Sequence, residues 1–153
     1  MNIKNEKERS KKNEENANYT ETYICDISVL HTEVPRDDKD VWIADTGASM
    51  HITSEKDFFV SLQPSKNVPH VRTANNKVLP TAGIGTINIQ VEIEEKFYDK
   101  QLSNVLYVSG LKRNLFSVGA VNDKGFCFHS FKDYCEVRDK DNKVSSTGVR
   151  YPR

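Results

Sequence analysis

Between Gly83 and Ile93 the chain carries its most constraining pattern. Ile87, Ile89, Val91 and Ile93 alternate with Asn88, Gln90 and Glu92. Successive strand side chains point to opposite faces, so this spacing gathers four branched apolar residues on one face and polar groups on the other. A helix would scatter the same residues around its axis. The stretch therefore predicts a strand of a sheet with one buried face. Gly83-x-Gly85 opens it without a third Gly or a Lys, and a strand rather than a helix follows. That context predicts a strand bend or bulge and argues against a phosphate-binding loop.

The rest of the chain reads in the same short units. Tyr23 to Leu30 is β-branched and partly alternating, and Pro35 to Asp40 is a polar turn. Val41 to Ala44 is an apolar run that predicts a short buried strand. Ser54-Glu55-Lys56-Asp57 predicts a capped helical turn carrying Phe58, Phe59 and Leu62. Val71 to Pro80 predicts a hairpin, with Asn75-Asn76 suited to the positive φ of a tight turn. Glu94-Glu95-Lys96 turns the chain, a return strand starts at Phe97-Tyr98, and Leu102 to Val108 is the next strand. Leu111, Leu115, Val118 and Val121 follow at helical spacing and predict a short amphipathic helix that stops before Lys124-Gly125. Phe126 to Phe131 and Tyr134 to Val137 flank Lys132-Asp133 as a second hairpin. Asp139 to Asn142 is a turn, and Lys143 to Gly148 a last short strand. Many short strands, one or two short helices and polar turns predict a mostly β, closed barrel.

Composition bounds what such a barrel can do. A length of 153 residues predicts one domain. Residues 1–20 alternate Lys and Glu with almost no apolar content, which predicts a disordered charged linker. Residues 21–150 are left for the barrel. The 22 basic and 22 acidic residues cancel, so neither nucleic acid nor an anionic membrane is an expected direct partner. No run approaches the roughly 18 apolar residues of a membrane span, and no signal-peptide core is present, so the expected location is intracellular. Cys25, Cys127 and Cys135 are few, odd in number and dispersed, which argues against a disulfide framework.

The chemistry is concentrated in Val41-Trp42-Ile43-Ala44-Asp45-Thr46-Gly47-Ala48-Ser49. A carboxylate at the end of a buried strand is costly unless it is bonded, paired or used. Gly47 permits a tight turn beside it, and Thr46 supplies a hydroxyl to tie that turn to a neighbour. The bland alternative is an Asp that starts a turn by bonding its own backbone. His51 has no second His or Cys nearby in sequence and is expected to be a structural hydrogen-bonder. Cys127-x-His129 with Cys135 invites a zinc reading. With a two-residue turn Ser130 pairs with Cys135, which puts Cys127 on the opposite face, and a fourth ligand is missing. No metal and no cofactor are expected.

Three ordered blocks resemble the protease domain in Pol polyproteins of copia-type retrotransposons. Trp42-Ile43-Ala44-Asp45-Thr46-Gly47-Ala48-Ser49-Met50-His51-Ile52-Thr53 is similar to that family's Trp-x-x-Asp-Ser-Gly-Ala-Ser-x-His-Met-Thr. Ala74 to Pro80 with Gly83-Ile84-Gly85-Thr86 resembles its Asp-Gly-Ser-x-Leu-Pro and Gly-x-Gly-Thr. Leu102 to Val118 resembles its Leu-x-x-Val-Leu-Tyr-Val-Pro-x-Leu-x-x-Asn-Leu-Leu-Ser-Val. The resemblance implies a retropepsin-like acid-protease barrel with Asp45 as the catalytic acid. It implies that Thr46 cross-links two active-site loops and that Gly47, Ala48 and Ser49 border the substrate. The hairpin around Ala74, Asn75 and Asn76 would be a flap over it, and a helix starting at Asn114 to Ser117 would back the loop. This sequence departs from the pattern at Thr46 for Ser, at Ser109-Gly110 for Pro, and at Asn76 where Gly is common. No zinc knuckle precedes the domain and no integrase or reverse transcriptase follows it. The chain is thus expected to be a processed piece, a fragment, or a decayed or co-opted copy.

A single Asp-Thr-Gly provides one carboxylate, whereas hydrolysis by an activated water needs a base and an acid. A homodimer that joins two Asp45 side chains at its axis is therefore expected, with a peptide segment of the polyprotein as substrate and the retrotransposon particle or cytoplasm as its place. The competing expectation is a catalytically silent β-barrel module that dimerises or scaffolds its polyprotein.

Overall fold

The computed structural model describes residues 23–25, 38–64, 70–73 and 77–149. The charged linker expected over 1–20 and the first strand beyond Cys25 lie outside the described residues. Twelve strands are described: β1 (Tyr23–Cys25), β2 (Trp42–Asp45), β3 (Ile52–Thr53), β4 (Phe59–Gln63), β5 (Val71–Arg72), β6 (Val78–Leu79), β7 (Gly83–Ile93), β8 (Lys96–Tyr107), β9 (Asn114–Ser117), β10 (Cys127–Ser130), β11 (Tyr134–Arg138) and β12 (Val144–Val149). One short helix, α1 (Val118–Asp123), follows β9.

Ten strands form one sheet in the order β10-β11-β12-β1-β2-β9-β3-β8-β7-β4, and β5 and β6 pair separately. The mostly β expectation holds. Among the described residues the end strands β10 and β4 are not paired with each other, so hydrogen bonding does not close the sheet into a barrel. Instead the sheet folds over itself. Trp42, Phe116, Ile87, Val91, Cys135 and Val137, from four strands, share one apolar core. Thr147 Oγ1 donates to the Glu92 carbonyl at 2.9 Å and ties β12 to β7 across the fold.

The long hairpin β7–β8 realises the alternation. Ile87 and Val91 are buried, Ile89 and Ile93 pack against the same core, and Asn88 and Gln90 are exposed. The polar face is cross-linked, with Gln90 Nε2 donating to Asp99 Oδ1 at 3.0 Å and Gln101 Nε2 to Asn88 Oδ1 at 3.3 Å. Glu94 and Glu95 both take positive φ, 51° and 63°, as a two-residue turn of the primed type requires. The return strand, expected in two pieces, is one continuous 12-residue strand. β7 offers it partners along its whole length, and burial of Leu102, Val105 and Leu106 holds its second half. The pairing slips between Gly85 and Ile87, opposite Asn104 at φ 59°, so the glycine pair does mark a bulge. Gly85 is also where β4 lies closest. A Cβ built there would sit 1.9 Å from the Ser61 carbonyl oxygen.

Two expectations are corrected. The helix predicted from Leu111 to Val121 is helical only from Val118 to Asp123. Asn114–Ser117 is strand β9, parallel to β2 with Trp42 opposite Asn114 and Asp45 opposite Ser117. Period two wins because each face has a core to enter: Phe116 joins the main cluster and Leu115 packs on a second one around Ile52, Leu106 and Val108. The capped helical turn at Ser54 to Asp57 is a 3-10 turn over Lys56–Phe58 with no side-chain cap, and Phe59 and Leu62 sit in strand β4. The hairpin β10–β11 has the expected register. Ser130 pairs with Cys135, Phe131 N donates to the Tyr134 carbonyl at 2.8 Å, and exposed Cys127 lies on the face opposite buried Cys135.

Candidate active site

Asp45 ends β2, half-buried, where the backbone leaves the sheet for the loop 46–51. Its Oδ1 accepts from the Gly47 backbone N–H at 2.7 Å. A Cβ on Gly47 would come within 3.2 Å of that same oxygen, so a larger residue there requires the carboxylate to give by a few tenths of an ångström. The bond is the turn-forming one that the bland reading describes. It also orients the carboxylate into a cleft.

The loop is strapped from behind by β9. Ser117, fully buried, donates from Oγ to the Ala48 carbonyl at 2.6 Å and caps α1 by accepting from Ala120 N at 3.0 Å. Its backbone N–H donates to His51 Nδ1 at 3.1 Å. Asn114 does the same for the strands on either side. Its Nδ2 donates to the carbonyls of Lys39 and Val41, and its Oδ1 accepts from Thr53 Oγ1 at 2.7 Å. Entry to β2 and the end of β3 are thus pinned by one buried amide. Asn114 and Ser117 were expected to back the loop as a helix start; they back it as a strand.

His51 is the structural hydrogen-bonder expected of it. Only 1% of it is exposed, its ring lies 4.9 Å from that of Phe116, and burial, with the Lys124 charge adding to it, lowers its pKa to about 4. The ring is neutral in the fold at neutral pH. Between pH 6.5 and 4 an unfolded chain binds a proton that the folded one does not, so stability falls as pH falls through that window. The expected loss from pH 7 to 4 is on the order of 3 kcal/mol greater for wild type than for His51→Gln, which keeps an acceptor for Ser117 N. Urea midpoints at the two pH values measure it; equal losses would contradict a buried neutral imidazole.

The cleft in front of Asp45 encloses about 690 Å³. Asp45, Gly47, Ala48 and Ser49 form one wall, and Val71, Arg72 and Thr73 of the β5–β6 hairpin face them. Ile52, Leu106, Leu111 and Leu115 add apolar surface between. Asp45 is the one carboxylate among the lining residues. Next to its tip the hairpin is closed by Thr73, whose N–H and Oγ1 both donate to the Lys77 carbonyl at 2.9 Å. Ala74, Asn75 and Asn76 at its tip lie outside the described residues. Thr46 is exposed and is not part of the cleft wall. Arg72 and Leu111 escaped sequence reasoning because only the hairpin's fold-back and the turn after β8 carry them to the acid. Among the described residues no three His, Cys, Asp or Glu side chains cluster as metal ligands, and no helix is long and apolar enough to cross a membrane.

Comparison with known proteins identifies the family to which this mostly β fold belongs. Residues 42–126 match the family described as the Pol polyprotein, beta-barrel domain, and the chain belongs to that family. A protein of Saccharomyces cerevisiae named for transposon Ty5-1 is 32% identical over 97 residues, 63% of this chain. The retrovirus-related Pol polyprotein from transposon RE1 of Arabidopsis thaliana is 29% identical over 104 residues, 67% of this chain. The matched stretch spans 58% of the first relative and 7% of the second. No solved structure matches the chain.

Proposed function

We propose that this domain is an aspartic endopeptidase that works as a homodimer on extended segments of its own polyprotein. The observation that carries the reading is Asp45, half-buried at a strand end, oriented by Gly47 N and facing a 690 Å³ cleft beneath a hairpin. In this reading the fold is retropepsin-like, with its sheet folded over itself rather than closed by hydrogen bonding among the described residues, and the setting is the cell interior or a retrotransposon particle. One cleft holds one carboxylate, so a two-fold axis supplies the second. Two carboxylates that close share one proton, as in aspartic proteases as a class. The ionised Asp45 takes a proton from water as it attacks the scissile carbonyl, and the protonated one donates to the carbonyl oxygen. As the tetrahedral diol collapses, the Asp45 that took the water proton gives it to the departing amine, and the other, now ionised, takes back a diol hydroxyl proton, which restores the pair. The substrate lies as an added strand between the loop Gly47 to Ser49 and the hairpin 71–79, with Ala74, Asn75 and Asn76 closing over it. In this reading the exposed Thr46 hydroxyl meets its counterpart across the axis and ties the two loops together.

The test is sedimentation together with incubation against a peptide library at about pH 5 to 7, with and without pepstatin. The expected result is a dimer whose cleavage pepstatin blocks. A folded dimer that leaves the library intact would instead favour the silent scaffolding module. Cleavage by a stable monomer would refute the two-fold mechanism.

A further inference from the structure

Strand β5 stands between the Asp45 cleft and its own partner, β6. Val71, Arg72 and Thr73 line the cleft, and neither Val78 nor Leu79 does. Among the described residues β5 pairs with β6 alone, through Val71 opposite Leu79 and Arg72 opposite Val78. Its other edge therefore borders the cleft. In an antiparallel ladder, successive residues turn their N–H and C=O alternately to the partner strand and away from it. Thr73 N–H donates to the Lys77 carbonyl at 2.9 Å, so Arg72, one residue earlier, turns its N–H and C=O from β6 toward the cleft. Neither group has a partner among the described residues.

The side chains of β5 alternate as well. Val71 and Leu79 pack on the apolar cluster around Ile52, Leu106 and Val108. Arg72 lies on the opposite face of the hairpin, exposed, with Val78 beside it at 50% exposure. Arg72 is the one lysine or arginine in the cleft wall, and among the described residues no carboxylate pairs with it.

We propose that the free edge of β5 makes the cleft selective for peptides in which an acidic residue stands between two apolar ones. The proposal rests on the reading of the cleft as a substrate site and adds which segments it takes. A peptide laid along β5 puts one residue opposite Arg72, bonded to its N–H and C=O. Residues directly opposite each other share a face and lie about 5.5 Å apart between Cα atoms in a hydrogen-bonded antiparallel pair. The side chain of that residue meets the guanidinium, and an opposite charge there attracts it. Its neighbours on either side fall on the face of Val71, where Ile52, Leu106, Leu111 and Leu115 line the cleft.

The experiment uses labelled peptides that differ only in their core, Leu-Glu-Leu, Leu-Gln-Leu or Leu-Lys-Leu. They are titrated into the full chain carrying Asp45→Asn, which binds without cleaving. The glutamate peptide is expected to bind about threefold tighter than the glutamine peptide, and the lysine peptide more weakly than both. Adding Arg72→Glu, at an exposed and unpaired position, is expected to reverse that order. Salt at about 1 M is expected to level it. Equal binding of the peptides, a preference that Arg72→Glu leaves unchanged, or no saturable binding of any of them would each overturn the proposal. Incubation of the same peptides with the wild type separates it from the protease reading. Cleavage with no preference for the acidic core would overturn the selectivity and leave the protease standing. Acid-selective binding to the Asp45→Asn chain with no cleavage by the wild type would uphold the selectivity and remove the protease.

Discussion

Asp45→Asn is expected to remove peptide cleavage, by at least about 10³-fold in kcat/KM, while leaving the fold as it is. The two halves of that expectation have separate causes. The amide keeps an oxygen where Oδ1 accepts from Gly47 N, so the turn that ends β2 retains its bond. Ala48 and His51 stay strapped to Ser117, and Asn114 still pins the entry to β2. What is lost is a group that can take a proton from water. In a homodimer the substitution strikes both members of the pair at once, so no base remains. Initial rates on a peptide found with the wild type, together with melting curves of both proteins, measure the two halves. Cleavage that survives in a folded Asp45→Asn would end the aspartic mechanism; a variant that fails to fold would show that Asp45 holds the turn through its charge.

Gly85→Ala is expected to be the most damaging single methyl group in the chain. The added Cβ would stand 1.9 Å from the Ser61 carbonyl oxygen and 2.8 Å from Phe59 Cδ1. The first neighbour is backbone and cannot rotate away. Relief requires β4 to separate from β7, where Leu62 now pairs with Gly85 and Ser61 with Thr86. Overpacking of this kind costs about 3 kcal/mol or more, which for a domain of this size lowers Tm by about 10 °C. Gly119→Ala is the control. Its Cβ would meet only ordinary contacts at 3.8 and 4.0 Å, and in the first turn of α1 it favours the helix. Calorimetry of the two variants beside the wild type decides the matter. A Gly85→Ala protein melting within about 2 °C of wild type would mean that β4 does not rest on that glycine.

Much of this was legible in the sequence where the signal is local. Strand β7 follows from an alternation that only a strand can place on one face. The hairpin β10–β11 follows from a two-residue turn, which sets every later pair in its register. Asp45 stands out because an acid at the end of an apolar run is unusual in its own neighbourhood. The Leu111 to Val121 stretch shows the opposite case. Its spacing fits a helix, yet Asn114–Ser117 is extended because β2 and β3 lie on either side to bond it. Helical spacing describes one apolar face, and this segment buries two.

The amino-acid order alone thus determined the class of fold, the family blocks around Asp45, and the turns that join its hairpins. Each rests on neighbours within a few residues. Only the tertiary structure decided what holds the candidate site. Asn114 reaches the carbonyls of residues 39 and 41, Ser117 reaches Ala48, and the base of the β5–β6 hairpin faces Asp45 across the cleft. It also decided that His51 turns one nitrogen to Ser117 and leaves the other buried with no partner among the described residues. Those partners are brought together by packing of the sheet on itself. Side-chain bonds that span 61 to 75 residues leave no periodicity for a sequence to display.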